Sequence, residues 1–264
     1  MDEQEVGRYW EANAETWTRH VRAGYDVYRD ALNTPAFLAF LPEIRRLSGI
    51  DIGCGEGENT RQLARAGARM QAIDIAPTFI RHAKESETSA PLGIVYQNAS
   101  ATALPFADAT FDFATAFMSM MDIARPEIAL VEACRVLKPE GFFQFSILHP
   151  CFVPPYRRNI RDDNGEVHAV EVGRYFTATD GAIETWHFSA APADERAEAE
   201  PFRVPRFHRT LSQWVAMIVQ SGFVIEALGE PMASEETAAA EPIVADTRVA
   251  PIFLHFRLRK PASR

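Results

Sequence analysis

Between residues 47 and 148, short apolar runs alternate with stretches whose apolar positions recur at helical spacing. The runs "LSGIDI", "MQAIDI", "GIVYQN", "TFDFATAF" and "FFQFSIL" predict strands, and the last is too continuously apolar to have a wet face. Among them, "NTRQLARAG", "PTFIRHAKE" and "PEIALVEACRVLKPEG" predict helices. Gly67 stops the first, Pro126 starts the third, and Lys138, Pro139 and Gly141 end it. Strands and helices alternating through short connections imply parallel strands covered by helices on both faces.

The flanks follow other patterns. The first forty residues read as helical, with Trp10, Trp17, Val21 and Tyr25 at roughly helical spacing. A second helix is expected at "NTPAFLAFL", with Thr34 as its N-cap and Pro35 in its first position. Residues 150–208 break the alternation and are rich in proline, arginine and aromatics. Here "DDNG" and "TDG" predict hairpin turns, and the stretch reads as an insertion. "TLSQWVAMIVQSG" resumes as a helix carrying Leu211, Trp214, Val215, Ile218 and Val219 on one face, with Gly222 as its stop. "FVIEAL" and "PIFLHFRLR" are the last strands. The polar, alanine-rich connection 230–250 holds no helix strong enough for a parallel crossover, so the final strand is expected to be antiparallel. The expected fold is α/β, a doubly wound, mostly parallel seven-stranded sheet with a β-rich insertion after strand 5. Four segments make one domain: an N-terminal helical lid (1–46), a core (47–149), a substrate-covering insertion (150–208) and a C-terminal completion (209–264).

Composition narrows the partners. The 264 residues are 47% hydrophobic, enough for a substantial core. A net charge of −9 argues against nucleic acid and against an anionic membrane surface. Cys54, Cys134 and Cys151 have no framework spacing, which points to reduced thiols and a cytoplasmic protein. No cysteine or histidine spacing suggests a metal. The opening "MDEQEVGRYW" is too acidic for a signal peptide, and no apolar run is long enough to span a bilayer. A small-molecule substrate is the expected partner, with monomer and homodimer both open.

Candidate chemistry begins at "DIGCGEG", residues 51–57. A glycine-rich turn between a strand and a helix lies where open α/β sheets bind ligands. The Gly-x-x-x-x-Gly-Lys phosphate loop is excluded because no lysine follows. The dinucleotide pattern Gly-x-Gly-x-x-Gly fails because its third position is Glu58. Glu56 and Glu58 would repel a pyrophosphate, so a cofactor without phosphates and with positive charge fits better. Asp74 ends the second strand, where a carboxylate can accept hydrogen bonds from both ribose hydroxyls; capping a helix or a turn is its alternative role.

The chain resembles the class I S-adenosylmethionine-dependent methyltransferases, in the subgroup that includes ubiquinone-biosynthesis-type enzymes (methyltransferase type 11). Four stretches in order carry the resemblance: "DIGCGEG", "AIDIAP", "SATALPFADATFDFATAF" and "VEACRVLKPEGFF". It covers residues 47–148 and implies a Rossmann-like methyltransferase fold with S-adenosylmethionine as cofactor. By this resemblance Asp51, Gly53, Gly55 and Gly57 hold the aminocarboxypropyl group. Asp74 takes the ribose, and Ile75 packs on adenine. Ser100 and Ala101 stand where an Asp-Ala pair reads the adenine amino edge. Phe117 and Met118 offer backbone carbonyls to the ammonium. Two positions depart from the pattern. Ser100 replaces the acid, leaving that hydrogen bond weaker or supplied by a neighbour. Ala76 replaces a serine that would cap the following helix at about 1 kcal/mol.

Methyl transfer from a sulfonium needs a collinear arrangement and a dry site more than an elaborate catalytic apparatus. The expected function is methylation of a small molecule on oxygen, nitrogen or sulfur. His149, just past the fifth strand, and His208, before a helix, are the candidate bases; capping a strand end and entering a helix are their structural alternatives. Tyr9, Trp10 and Trp17 are candidate cover residues whose rings suit a cation, and helix packing accounts for them equally. Phe152, Tyr156, Tyr175, Phe176, Trp186 and Phe207 are expected to wall the substrate, with His149 pointing into the cavity. Cys151 reads as packing rather than as a nucleophile. Arg157, Arg158, Arg161, Arg203, Arg206 and Arg209 lie among Asp162, Asp163, Glu166, Glu195 and Glu198, so a solvated mixed surface is favoured over an anionic-substrate site. Two other functions stay open: a non-catalytic S-adenosylmethionine-binding partner or regulator, and an NAD-dependent oxidoreductase, against which Asp51 and Glu58 count.

Overall fold

In the computed structural model, which describes residues 1–262, one seven-stranded sheet organises the chain. The last two residues of the 209–264 segment lie outside the described residues. The strands are β1 (Ser48–Ile52), β2 (Arg69–Asp74), β3 (Val95–Asn98), β4 (Phe111–Phe117), β5 (Leu137–Leu148), β6 (Tyr156–Arg161), β7 (Val167–Gly173), β8 (Ala182–Trp186), β9 (Phe202–Arg206), β10 (Val224–Gly229) and β11 (Phe253–Arg259). The helices are α1 (Glu3–Arg22), α2 (Thr34–Ala39), α3 (Glu58–Arg65), α4 (Pro77–Ser89), α5 (Pro126–Val136), α6 (Ala193–Glu198), α7 (Leu211–Gln220) and α8 (Glu235–Ala240).

The main sheet runs β10-β11-β5-β4-β1-β2-β3. β11 is antiparallel to both its neighbours, and the pairings among β1 to β5 are parallel. One face packs Leu130, Ala133, Trp214 and Ile218 against Phe143, Phe145 and Phe256. The other buries Leu63, Ile80, Ala83 and Met70 against Phe113 and Phe142. Strand order reverses between β1 and β4, which opens a crevice at their carboxyl ends.

Close packing at the centre has a specific requirement. Gly49 of β1 stands opposite Phe113 of β4, whose ring stacks on Phe142 with centroids 5.3 Å apart. A Cβ at Gly49 would overlap that ring. Gly49→Ala is expected to lower stability by about 1–3 kcal/mol through overpacking. The check is a lower urea midpoint at unchanged slope; an unchanged midpoint would show that the ring moves aside freely.

Several local expectations are corrected. Thr34 lies inside α2, because a π-helix over Arg29–Asn33 runs straight into it, and Asn33 holds the cap position without a side-chain bond. Lys138, Pro139 and Gly141 belong to β5, which begins directly after α5 with a register shift opposite Phe111 and Phe113. "DDNG" turns the β6–β7 hairpin, but "TDG" only leads into β8, which pairs with β9 across a connection containing α6. Val219 is exposed because the α7 face that meets the core is centred on Trp214 and Ile218. Residues 230–250 contain α8 and a 3₁₀ helix over Pro242–Arg248. Among the described residues no helix is long and apolar enough to cross a membrane.

Candidate functional site

At the carboxyl ends of the strands lies a cavity of about 640 Å³, within the usual range for small-ligand pockets. The turn after β1 forms one end. Asp51 is buried beneath it, accepting hydrogen bonds from Thr60 Oγ1 at 2.6 Å and Thr115 Oγ1 at 2.8 Å. Burial raises its pKa, and the two hydroxyls oppose that rise. Gly53 has a φ of +74°, and a Cβ there would collide with Ser119, whose hydroxyl is held by the Ile52 carbonyl at 2.6 Å. Gly55, with a φ of +55°, has nothing within 4 Å of its Cβ position and lines the cavity. The loop therefore leaves a cradle that a side chain would fill. Gly57 departs from expectation: it faces Tyr96 and Ala83 rather than the cavity.

Asp74 holds the turn and also faces the cavity. Its Oδ2 accepts from the Gly55 amide at 2.8 Å and its Oδ1 from the Ala76 amide at 2.9 Å. Each carboxylate oxygen retains a lone pair, and the residue lines the cavity. Burial pushes its pKa up to about 6, against the pull of the Ala76, Gly55 and Ile75 amides. Ile75, Ala99, Ala101, Phe117 and Met118 also line this region. So does Asn33, whose amide Nδ2 is buried without a partner while its Oδ1 accepts from His255 at 2.7 Å and from Ser146 at 3.1 Å. Glu56 does not present bare charge, because Arg22 and Arg29 lie 3.5 and 3.8 Å from its carboxylate.

The N-terminal helix brings an acid to each local departure. Ser100 does not line the cavity; its hydroxyl and that of Thr102 both donate to the Glu3 carboxylate, which does. Glu11, two turns along the same helix, accepts from the Thr78 amide at 2.9 Å and the Thr78 hydroxyl at 2.7 Å. That caps α4 in the absence of a side chain at Ala76. Gly7 lets α1 lie on Ile75, where a Cβ would come within 3.1 Å of its side chain. These acids were invisible as site residues because nothing near residues 3 and 11 marks them; an exposed helical face accounts for both locally.

At the opposite end, the insertion and the segment after β4 enclose the space. Trp10, Trp17, Trp186, Phe188, Phe207 and His208 line it. The remaining expected cover and wall residues do not. Tyr9 packs beneath the Arg203 guanidinium, 5.4 Å from its ring centre. Phe152 packs on His149, Tyr156 is exposed, and Phe176 is 89% exposed. The Tyr175 hydroxyl accepts from the Leu211 amide at 2.9 Å, and Cys151 lies beside it.

His149 is also corrected. It is buried at the end of β5, with Nε2 2.8 Å from Glu230 Oε1 and Nδ1 accepting from the Cys151 amide at 3.1 Å. Both ring nitrogens are therefore engaged in holding the chain that leaves the strand, and the residue does not line the cavity. His208 does line it. Its Nε2–H donates to the Tyr175 carbonyl at 2.8 Å, which leaves Nδ1 free to accept, and burial lowers its pKa. Among the described residues no cluster of His, Cys, Asp or Glu is arranged to hold a metal.

Comparison with known proteins bears on this geometry. Residues 50–145 match the methyltransferase domain family. The chain is 32% identical over 147 residues to a ubiquinone biosynthesis O-methyltransferase of Methylococcus capsulatus, covering 54% of this chain and 57% of that protein. It is 31% identical over 132 residues to a malonyl-[acyl-carrier protein] O-methyltransferase of Pseudescherichia vulneris, covering 50% and 51%. It thus spans only a little over half the length of these relatives. The crystal structure of an S-adenosylmethionine-dependent methyltransferase from Mesorhizobium loti aligns with a TM-score of 0.67 at 25% identity, over 85% of this chain and 96% of that one. A Listeria monocytogenes structure aligns with a TM-score of 0.68 at 22% identity, over 86% and 96%, and shares the fold.

Proposed function

We propose that this chain, which carries a class I S-adenosylmethionine-dependent methyltransferase domain, methylates a small molecule held under its insertion. S-adenosylmethionine is the cofactor of such a domain, and its sulfonium supplies an electrophilic methyl group. The observation that carries the reading is Asp74, placed beside the cradle at Gly55 with a lone pair left on each oxygen. Asp74 takes the ribose hydroxyls, Ile75 and Ala101 flank the adenine, and Glu3 stands in for the missing acid at Ser100. The partnerless Asn33 amide and the carbonyls of Phe117 and Met118 surround the amino-acid end. The aromatic walls exclude water from the transfer, and His208 Nδ1 is available to take a proton where the acceptor loses one. A methyltransferase domain sets aside the nicotinamide alternative. The three cysteines are free, in keeping with a cytoplasmic location.

The test is incubation with methyl-labelled S-adenosylmethionine and a metabolite extract. Label in a small molecule supports the reading, whereas cofactor binding with no transfer would favour the non-catalytic alternative. Two substitutions refine it. Glu3→Ala is expected to weaken S-adenosylhomocysteine binding roughly tenfold, since a hydrogen bond to a charged group contributes about 1.5 kcal/mol or more when formed. Calorimetry giving an unchanged affinity would restrict Glu3 to bracing Ser100 and Thr102. His149→Ala is expected to lower stability by about 1–2 kcal/mol while S-adenosylhomocysteine binding holds. A loss of turnover per folded molecule of two orders of magnitude or so would restore it as a base.

A further inference from the structure

The insertion end of the cavity holds an unusual charge arrangement. Asp122 sits on the 3₁₀ turn Met120–Asp122 that follows β4, and it lines the cavity. Among the described residues, no side chain or backbone group bonds its carboxylate. The other acids nearby are engaged. Glu184 pairs with Arg206 at 3.1 Å, and Asp26 accepts from the Arg29 amide at 3.2 Å. Of the arginines lining this end, two are paired with acids. Arg157 is committed to Asp246 at 3.2 Å, and Arg206 to Glu184 and the Val153 carbonyl. Arg209 donates to the carbonyls of Ala124 at 2.7 Å and Phe207 at 3.1 Å. The walls around them are Trp186, Phe188 and Phe207. A cation entering this end would meet a carboxylate without a hydrogen-bonding partner and several aromatic faces.

We infer that Asp122 is the specificity-determining residue for the acceptor, and that the acceptor is a small molecule with an apolar body that carries a protonated amine for Asp122 to pair with. The inference rests on the methyltransferase reading above, because it assigns the part of the cavity left over once the cofactor is placed. Burial drives the Asp122 carboxyl well above the ordinary carboxylate range, the Arg206 guanidinium only partly offsetting it. An arriving ammonium relieves that penalty by pairing with the ionised form, and an alcohol of the same shape relieves less of it. A carboxylate in the same place adds a second buried negative charge. Recognition thus comes from one acid without a bonded partner set among aromatic walls.

The experiment is calorimetry on the complex with S-adenosylhomocysteine, using phenethylamine, 2-phenylethanol and phenylacetate as matched probes. The expected result is that phenethylamine binds roughly tenfold more tightly than 2-phenylethanol and that phenylacetate does not bind. In Asp122→Asn, S-adenosylhomocysteine affinity should hold, showing an intact fold, while the preference for the amine over the alcohol disappears. In Glu184→Gln the preference for the amine should remain. Phenylacetate binding as tightly as the amine, an amine preference surviving in Asp122→Asn, a preference lost only in Glu184→Gln, or no saturable binding of any probe would each overturn the assignment. Failure of S-adenosylhomocysteine itself to bind the unaltered protein would instead strike the methyltransferase reading.

Discussion

Replacing Asp74 by alanine is expected to weaken S-adenosylhomocysteine binding roughly tenfold or more. A hydrogen bond to a charged acceptor contributes about 1.5–3 kcal/mol, and tenfold in affinity corresponds to about 1.4 kcal/mol, so losing one well-formed ribose contact already suffices. The Gly55 amide loses its acceptor at the same time, which loosens the cradle. The pH dependence isolates the carboxylate. With its pKa pushed up to about 6, Asp74 is protonated as pH falls through that value and exchanges an acceptor for a donor. Affinity should therefore be full near pH 8 and decline as pH drops below about 6. Asp26 is also raised to about 6 by burial and titrates alongside it. The informative quantity is accordingly the difference between the profiles of the unaltered protein and of Asp74→Asn, measured by calorimetry. Coincident profiles with equal affinities would leave Asp74 as a turn residue only.

Trp17→Ala is expected to have the largest effect on stability. The Trp17 ring packs edge-on against Trp10 at 5.3 Å, Trp186 at 5.4 Å, and Phe188 and Phe202 at 5.0 Å each. It joins α1 to both strands of the β8–β9 hairpin and to the segment after β8. Large-to-small changes at buried aromatics cost about 3–5 kcal/mol. Trp17 lines the cavity, so the lower end of that range applies, equivalent to a fall in Tm of roughly 10 °C for a chain of this size. Cofactor affinity should fall as well, because the same helix carries Glu3 and rests on Ile75. Trp17→Phe should recover about half of the lost stability by keeping an aromatic body at the hub. An unchanged Tm in Trp17→Ala would show that the insertion is anchored elsewhere. Trp17 therefore both packs the insertion onto α1 and lines the cavity.

The residues best placed by the sequence are those whose signal is local. The alternation of apolar runs and helical stretches marked β1 to β5 and α3 to α5, because each element's period reports its own buried face. Three glycines at alternate positions, with an acid ending the next strand, located the cavity, because a turn with left-handed backbone leaves its mark within a few residues. Where a residue's partner lies far away in the chain, the local signal was silent or misleading. His149 ends a strand beside the crevice, yet Glu230, 81 residues later, turns its ring away. "TDG" has the chemistry of a hairpin turn, yet β8 finds its partner beyond α6 rather than behind it. Ser100 and Ala76 look like losses until the fold brings α1 across the sheet, where Glu3, 97 residues from Ser100, accepts from its hydroxyl, and Glu11, 67 residues from Thr78, caps the helix that starts there. The parts of this protein determined by its sequence alone are thus the layered core and the cofactor turn, each specified by contacts among neighbours. The tertiary structure alone decided which acids and aromatics face the cavity, because that depends on long-range packing of α1 and the insertion, which no local periodicity records.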